Sequence, residues 1–242
     1  MLMHPLARLI LALAIAAPLA VGPRAAPAQT VPSPYRFVEP GQDIGPFYAW
    51  LRTDRGSAKL GPKSGSVFGL QYTLRLNGPM QVGAFAGYMS AQRDIIDPRA
   101  EGGARKIGVE DLTLIMLGGR LHLNLTGART WHNLMPYVTG GLGMAIDATA
   151  EPTCALNPTS AQCRLSTRDR YDFGNSFMGQ VGLGTAWLLS ERIGLRFTVH
   201  DNIWRIKSPP GFQDADVTLR VVPSETEWVN NIMVGAGLSY WF

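Results

Sequence analysis

From residue 45 onward the chain returns again and again to one pattern, apolar positions alternating with small or polar ones. This two-residue repeat is the strand period. Eight segments carry it: Gly45–Arg52, Gly65–Leu76, Met80–Ala91, Leu112–Leu125, Leu134–Ala148, Asn175–Leu189, Ile193–Ile206 and Thr226–Phe242. The last shows the logic best. Trp228, Asn230, Ile232, Val234, Ala236, Leu238, Tyr240 and Phe242 fall on one face. Val229, Asn231, Met233, Gly235, Gly237, Ser239 and Trp241 fall on the other. One face is apolar with aromatics at its ends, and the other is small or polar over its middle. Phe68, Leu70, Tyr72, Leu74 and Leu76 oppose Gly69, Gln71, Thr73 and Arg75 in the same way, and Ile193, Leu195, Phe197 and Val199 oppose Gly194, Arg196, Thr198 and His200. A lipid-facing exterior with aromatic ends around a polar interior is the pattern of a transmembrane β-barrel.

The connections sharpen this reading. They alternate long and short: 53–64, 77–79, 92–111, 126–133, 149–174, 190–192 and 207–225. Outer-membrane barrels alternate long extracellular loops with short periplasmic turns in this way. The expected fold is therefore all-β, an eight-stranded antiparallel up-and-down transmembrane barrel over residues 45–242. Residues 126–133 make the longest of the short turns.

Composition agrees. Charged residues are 17% of the 242, and glycine reaches 27, above the usual share of about 7%. Each glycine would weaken a helix by about 1 kcal/mol. A mean hydropathy of +0.03 excludes a helical membrane bundle, which needs apolar runs of some 18 residues or more. Residues 1–28 read as a secretory signal peptide: Arg8 precedes an apolar stretch, Leu9–Val21, and Ala26 and Ala28 are small residues at −3 and −1 of a cut after Ala28. The stretch is too short to span a bilayer as an anchor helix. Residues 29–44 form a Pro-rich periplasmic leader. Without Arg8 and Arg24 the net charge falls near +2, which, with export, argues against a nucleic-acid partner. Cys154 and Cys163 lie in a Pro/Thr/Ser/Asn-rich loop. In an exported chain this pair reads as a disulfide; a metal pair is the rival, but no His lies near either.

The chain ends in Leu238-Ser239-Tyr240-Trp241-Phe242. Leu238, Tyr240 and Phe242 resemble the C-terminal assembly signal of outer-membrane proteins. With the signal peptide and eight strands, residues 45–242 resemble the small OmpA-like and OmpX-like barrels. The resemblance implies the outer membrane of a Gram-negative envelope as location, and as partners the barrel-assembly machinery during biogenesis, outer-membrane lipid and lipopolysaccharide. The chain departs from OmpA by stopping at the barrel, without a peptidoglycan-binding domain.

No G-x-S-x-G, H-E-x-x-H or phosphate-binding loop is present. The Gly140-Gly141-Leu142-Gly143 and Gly182-Leu183-Gly184 runs sit within strands and serve packing or curvature. His200-Asp201-Asn202 invites comparison with lipid A deacylase barrels, but Asn202 stands where the nucleophilic serine would be. No catalytic residue, cofactor or metal is expected, and a structural or surface-interaction barrel is favoured over a permeation barrel, a soluble lipocalin-type barrel or an enzyme. Eight strands enclose just enough room for side chains. Parity places Gln71, Arg75, Arg120, His122, Gln180, Arg196 and His200 in a plugged polar lumen, with Asp147 and Glu191 as available acids and water making up the rest. A bulge at Gly118-Gly119 would flip Arg120 outward. In the first long loop, Arg52, Arg55, Lys59 and Lys63 stand against Asp54 alone; guanidinium and ammonium groups suit the phosphates of lipopolysaccharide.

Overall fold

The structure is a computed structural model that describes residues 33–38, 41–149, 154, 159–215, 217 and 222–242. The expected signal peptide, residues 1–28, lies outside them. Among the described residues, ten strands follow one another: β1 Tyr35–Phe37, β2 Gln42–Arg52, β3 Gly65–Asn77, β4 Met80–Ile96, β5 Lys106–Asn124, β6 Arg129–Trp131, β7 Leu134–Asp147, β8 Asn175–Leu188, β9 Ile193–Lys207 and β10 Thr226–Trp241. β2–β3–β4–β5–β7–β8–β9–β10 pair with their neighbours antiparallel, and β10 pairs back onto β2. The result is a closed eight-stranded up-and-down barrel, which satisfies every ladder without leaving an edge. At the seam Tyr240 faces Ile44 and Trp241 faces Asp43, and Phe242 and Gln42 exchange both backbone hydrogen bonds, at 2.9 and 3.0 Å.

The eight barrel strands match the eight periodic segments, with two differences. β4 and β5 run on to Ile96 and back from Lys106, because their outward positions past Tyr88 turn polar while the pairing continues. The segment expected to be an unpaired leader, 29–44, contains structure. β2 already begins at Gln42, and Tyr35–Phe37 pairs with Arg129–Trp131. This ribbon accounts for the unusual length of the 126–133 turn. Trp131 pairs with Leu134 across His132 and Asn133, both of which have positive φ (49° and 63°), as a tight two-residue hairpin demands. Register continues through Gly118 and Gly119 in both ladders, so no bulge interrupts the parity of Arg120.

The two faces have opposite chemistry. Outward positions carry exposed Leu70, Val82, Leu117, Leu121, Leu142, Leu183 and Val234, with Tyr48, Trp50, Phe68, Tyr88, Phe177 and Trp228 toward the long-loop end. Trp187, Ile193, Tyr240 and Phe242 lie toward the short-turn end. A contiguous apolar surface this size is not tolerated in water; hydrocarbon is its natural solvent. Inward positions divide into two halves. Toward the long loops Leu51, Val67, Met89, Leu114, Met116, Met178, Trp204 and Met233 form a buried apolar cluster. Leu60, Tyr171, Phe173 and Phe212 from the long loops join it. Toward the short turns the interior is mostly polar, with a small apolar cluster of Met135, Ala186 and Trp241 at its end.

Candidate functional site: the barrel interior and its loop cap

Strand parity aims alternate residues of every strand inward, and the sites follow from that. Gln71, Arg75, Arg120, His122, Gln180, Arg196 and His200 are all buried within the barrel. Arg196, 2% exposed, donates from Nη2 to Asp43 Oδ2 at 2.6 Å and from Nη1 to Thr73 Oγ1 at 3.1 Å. Arg120 donates from Nε to Gln180 Oε1 at 2.8 Å and lies 3.7 Å over the Phe85 ring. Gln180 in turn donates to Asn202, whose Nδ2 donates to the Asn231 carbonyl at 3.3 Å. Arg75 reaches the Val38 carbonyl at 2.7 Å, tying the leader to the barrel wall. The His122 and Tyr137 rings meet edge to face at 5.0 Å.

The room for these side chains comes from inward glycines. A Cβ on Gly182 would stand 2.4 Å from the Val199 carbonyl oxygen and 2.5 Å from the His200 ring. A Cβ on Gly141 would stand 2.4 Å from the Gly119 carbonyl oxygen and 3.0 Å from Arg120 Cγ. Bulky residues at either position would evict the polar cluster.

Three expectations are corrected. Among the described residues, the acid in the short-turn half of the interior is Asp43, not Asp147 or Glu191. Asp147 ends β7 and accepts from the Thr149 amide, and Glu191 is exposed in the 190–192 turn. Asp43 escaped notice because the Pro-rich segment hid the start of β2; carrying the parity of Phe47 and Ala49 back through Gly45 would have found it. The interior is not uniformly polar and hydrated, since its long-loop half is the apolar cluster. The signal was the first half of β5, apolar on both faces. Finally, Arg55 and Lys63 are not free cations. Arg55 Nη2 lies 2.7 Å, and Lys63 Nζ 2.9 Å, from Asp94, which also takes Lys106 at 3.0 Å. Burial alone would raise the Asp94 carboxyl, but hydrogen bonds from Lys63, Lys106 and Arg55 outweigh it and hold it well below the usual carboxylate range. Arg52 and Lys59 remain exposed.

The long loops are tied together. Arg99 of loop 97–105 bonds Asp169 of loop 148–174 and, at 2.9 Å, Asp214 of loop 208–225. Arg168 reaches Asp214 at 2.8 Å. Ser57 bonds Glu227 through its amide and hydroxyl at 2.9 and 3.0 Å. Arg93 pairs with Glu110 at 2.8 Å and lies over the Tyr171 ring at 5.6 Å. Burial raises the Tyr171 phenol despite that cation. Cys154 and Cys163 are joined as a disulfide, with Cα atoms 5.4 Å apart.

His200 is 1% exposed, and among the described residues neither ring nitrogen has a hydrogen-bond partner. Asp201 faces outward, where its carboxylate accepts from Asn230 Nδ2 at 2.6 Å and the Asn231 amide at 3.1 Å. The His200-Asp201-Asn202 segment thus divides between the two faces of the wall. Among the described residues no group of three His, Cys, Asp or Glu is placed to hold a metal ion.

Leu238 and Tyr240 are exposed on the outward face of β10 and Phe242 stands exposed at the chain end. These three therefore line up along the outward face of the seam strand.

No protein-family model matches this chain, and no curated protein sequence matches it. The fold is similar to solved outer-membrane barrels. OprG of Pseudomonas aeruginosa aligns with a TM-score of 0.52 at 13% identity, over 85% of this chain and 97% of that one. Neisserial surface protein A aligns at 0.47 and 13%, over 87% and 98%. Outer membrane protein W of E. coli aligns at 0.46 and 14%, over 84% and 98%. What is shared with OprG at 13% identity is the fold, the small outer-membrane β-barrel.

Proposed function

We propose that this eight-stranded barrel is an integral outer-membrane protein that presents a structured cap of long loops at the cell surface and has a structural or surface-interaction role, not a permeation role. The observation that carries the reading is the burial of Leu60, Tyr171, Phe173 and Phe212, from three different long loops, in the apolar cluster of the barrel interior. Loop residues anchored in this way close the long-loop end and give the loops one arrangement, as a recognition surface needs. Export by a signal peptide cut after Ala28 and reading of Leu238, Tyr240 and Phe242 by the assembly machinery complete the route.

Lipopolysaccharide remains the proposed lipid partner, on a narrower footing. Arg55 and Lys63 serve Asp94, so Arg52 and Lys59 are left to meet its phosphates. Replacing Arg52 and Lys59 together by Gln should lower lipopolysaccharide retention on purified barrel, whereas replacing Lys63 alone should not.

The topology is tested by labelling. A Lys59→Cys variant on intact cells should react with a membrane-impermeant maleimide, and the labelled protein should fractionate with the outer membrane. Labelling only after cell lysis would overturn the proposal.

A further inference from the structure

Among the described residues, two buried guanidinium groups, Arg120 and Arg196, share the short-turn half of the interior with one buried carboxylate, Asp43. Asp43 is already engaged by Arg196, so among the described residues the Arg120 guanidinium has no carboxylate partner. Burying charge without a counter-charge is strongly unfavourable.

Donors in the same place also lack partners. Among the described residues, Arg196 Nε, Arg120 Nη2, Tyr137 Oη, Trp241 Nε1 and His122 Nδ1 are buried with no hydrogen-bond partner. They belong to one cluster. The Arg196 guanidinium lies 6.0 Å from the Tyr137 ring and 5.6 Å from the Trp241 ring. Tyr137 touches His122, and Arg120 follows two positions back on the same inward face of β5. Unsatisfied buried polar groups are rare in folded proteins, and a convergent set of them marks an unseen water or ion. Waters alone would serve the donors but leave the charge unanswered.

A route to the cluster exists at one end. A cavity of about 810 Å³ opens at the short turns and is lined by Arg36, Arg192, Trp241 and Phe242 among others. Trp241 therefore separates this mouth from Arg196. The opposite end is closed by the apolar cluster.

We propose that the short-turn half of the barrel interior binds a small inorganic anion of halide size, held by Arg196, Arg120 and Tyr137 and admitted past Trp241. The anion supplies the counter-charge that Arg120 lacks, and accepts from the donors that have no partner, among the described residues. Asp43 has a second carboxylate oxygen without a partner. It repels the anion and limits the site to a single charge held on the arginine side.

Bromide is the probe. The full chain, refolded in detergent, is melted in sodium bromide and in sodium methanesulfonate at the same ionic strength. The expected result is a saturable upward shift of the unfolding midpoint in bromide, which Arg120→Gln abolishes while the barrel still migrates differently before and after heating. Crystals grown in bromide should give an anomalous peak beside Arg196 and Arg120. Identical midpoints in the two salts, or a map with no bromide in the interior, would overturn the proposal. Should Arg120→Gln fail to refold, the wild-type map decides alone.

Discussion

At the scale of single residues, the interior depends on one acid. Asp43 is 1% exposed and holds Arg196 at 2.6 Å. Removing one partner of a buried pair strands the other charge, at a cost of about 3–5 kcal/mol. Asp43→Ala should therefore lower the unfolding free energy by that order, measured by equilibrium urea titration in phospholipid vesicles; a change under about 1 kcal/mol would show the pair to be dispensable. Gly182 makes the complementary point. A side chain there meets backbone at 2.4 Å, so Gly182→Val should destabilise by about 1–3 kcal/mol or more through overpacking, detectable in the same titration. Gln71, Arg75 and Arg196 were legible from sequence because each alternates with an obvious apolar neighbour on its strand. Asp43 and Tyr137 were not. The first sits behind prolines that obscure the strand start. The second has a side chain that suits lipid interface and lumen equally, and only closure of the barrel decides between them.

At the scale of elements, strand periodicity survives because each inward or outward error would place an apolar side chain in the wrong solvent. That is why the eight periodic segments and the eight barrel strands agree. The β1/β6 ribbon left no such trace: three-residue strands are too short to show a period, and their pairing is set by the left-handed His132-Asn133 turn. Loop ties were equally invisible, since Arg99, Asp169 and Asp214 are far apart in sequence and meet only when the loops fold over the barrel. Arg99→Ala should release loop 97–105 from loops 148–174 and 208–225, which Arg168 still joins through Asp214, seen as faster trypsin cutting after Arg105 with the strands intact. Replacing both Cys154 and Cys163 by Ser should likewise speed loop cleavage without altering heat-dependent migration, because stability resides in the closed ladder.

The first long loop carries a pH signature. The Asp94 carboxyl sits below its ordinary range when folded, so its ionisation favours the folded loop. That contribution is fully present above the ordinary carboxylate range and is lost only as pH falls through the depressed folded value. Protection of residues 53–64 from protease should therefore persist through mild acid and fail well below the ordinary range, while Asp94→Asn should lose it already at neutral pH.

At the scale of the whole molecule, three features describe one object: an apolar exterior, a polar short-turn interior and an apolar interior beneath the long loops. The first two follow from alternation along each strand. The third needed the loops, because Leu60, Tyr171, Phe173 and Phe212 acquire their role only when three loops converge on the barrel end. That convergence carries the proposal of a closed display scaffold as opposed to a channel. Ion conductance of the refolded full chain in a planar lipid bilayer tests it most directly. Baseline current with no steady conductance step is the expected result, and a stable, large conductance would contradict it.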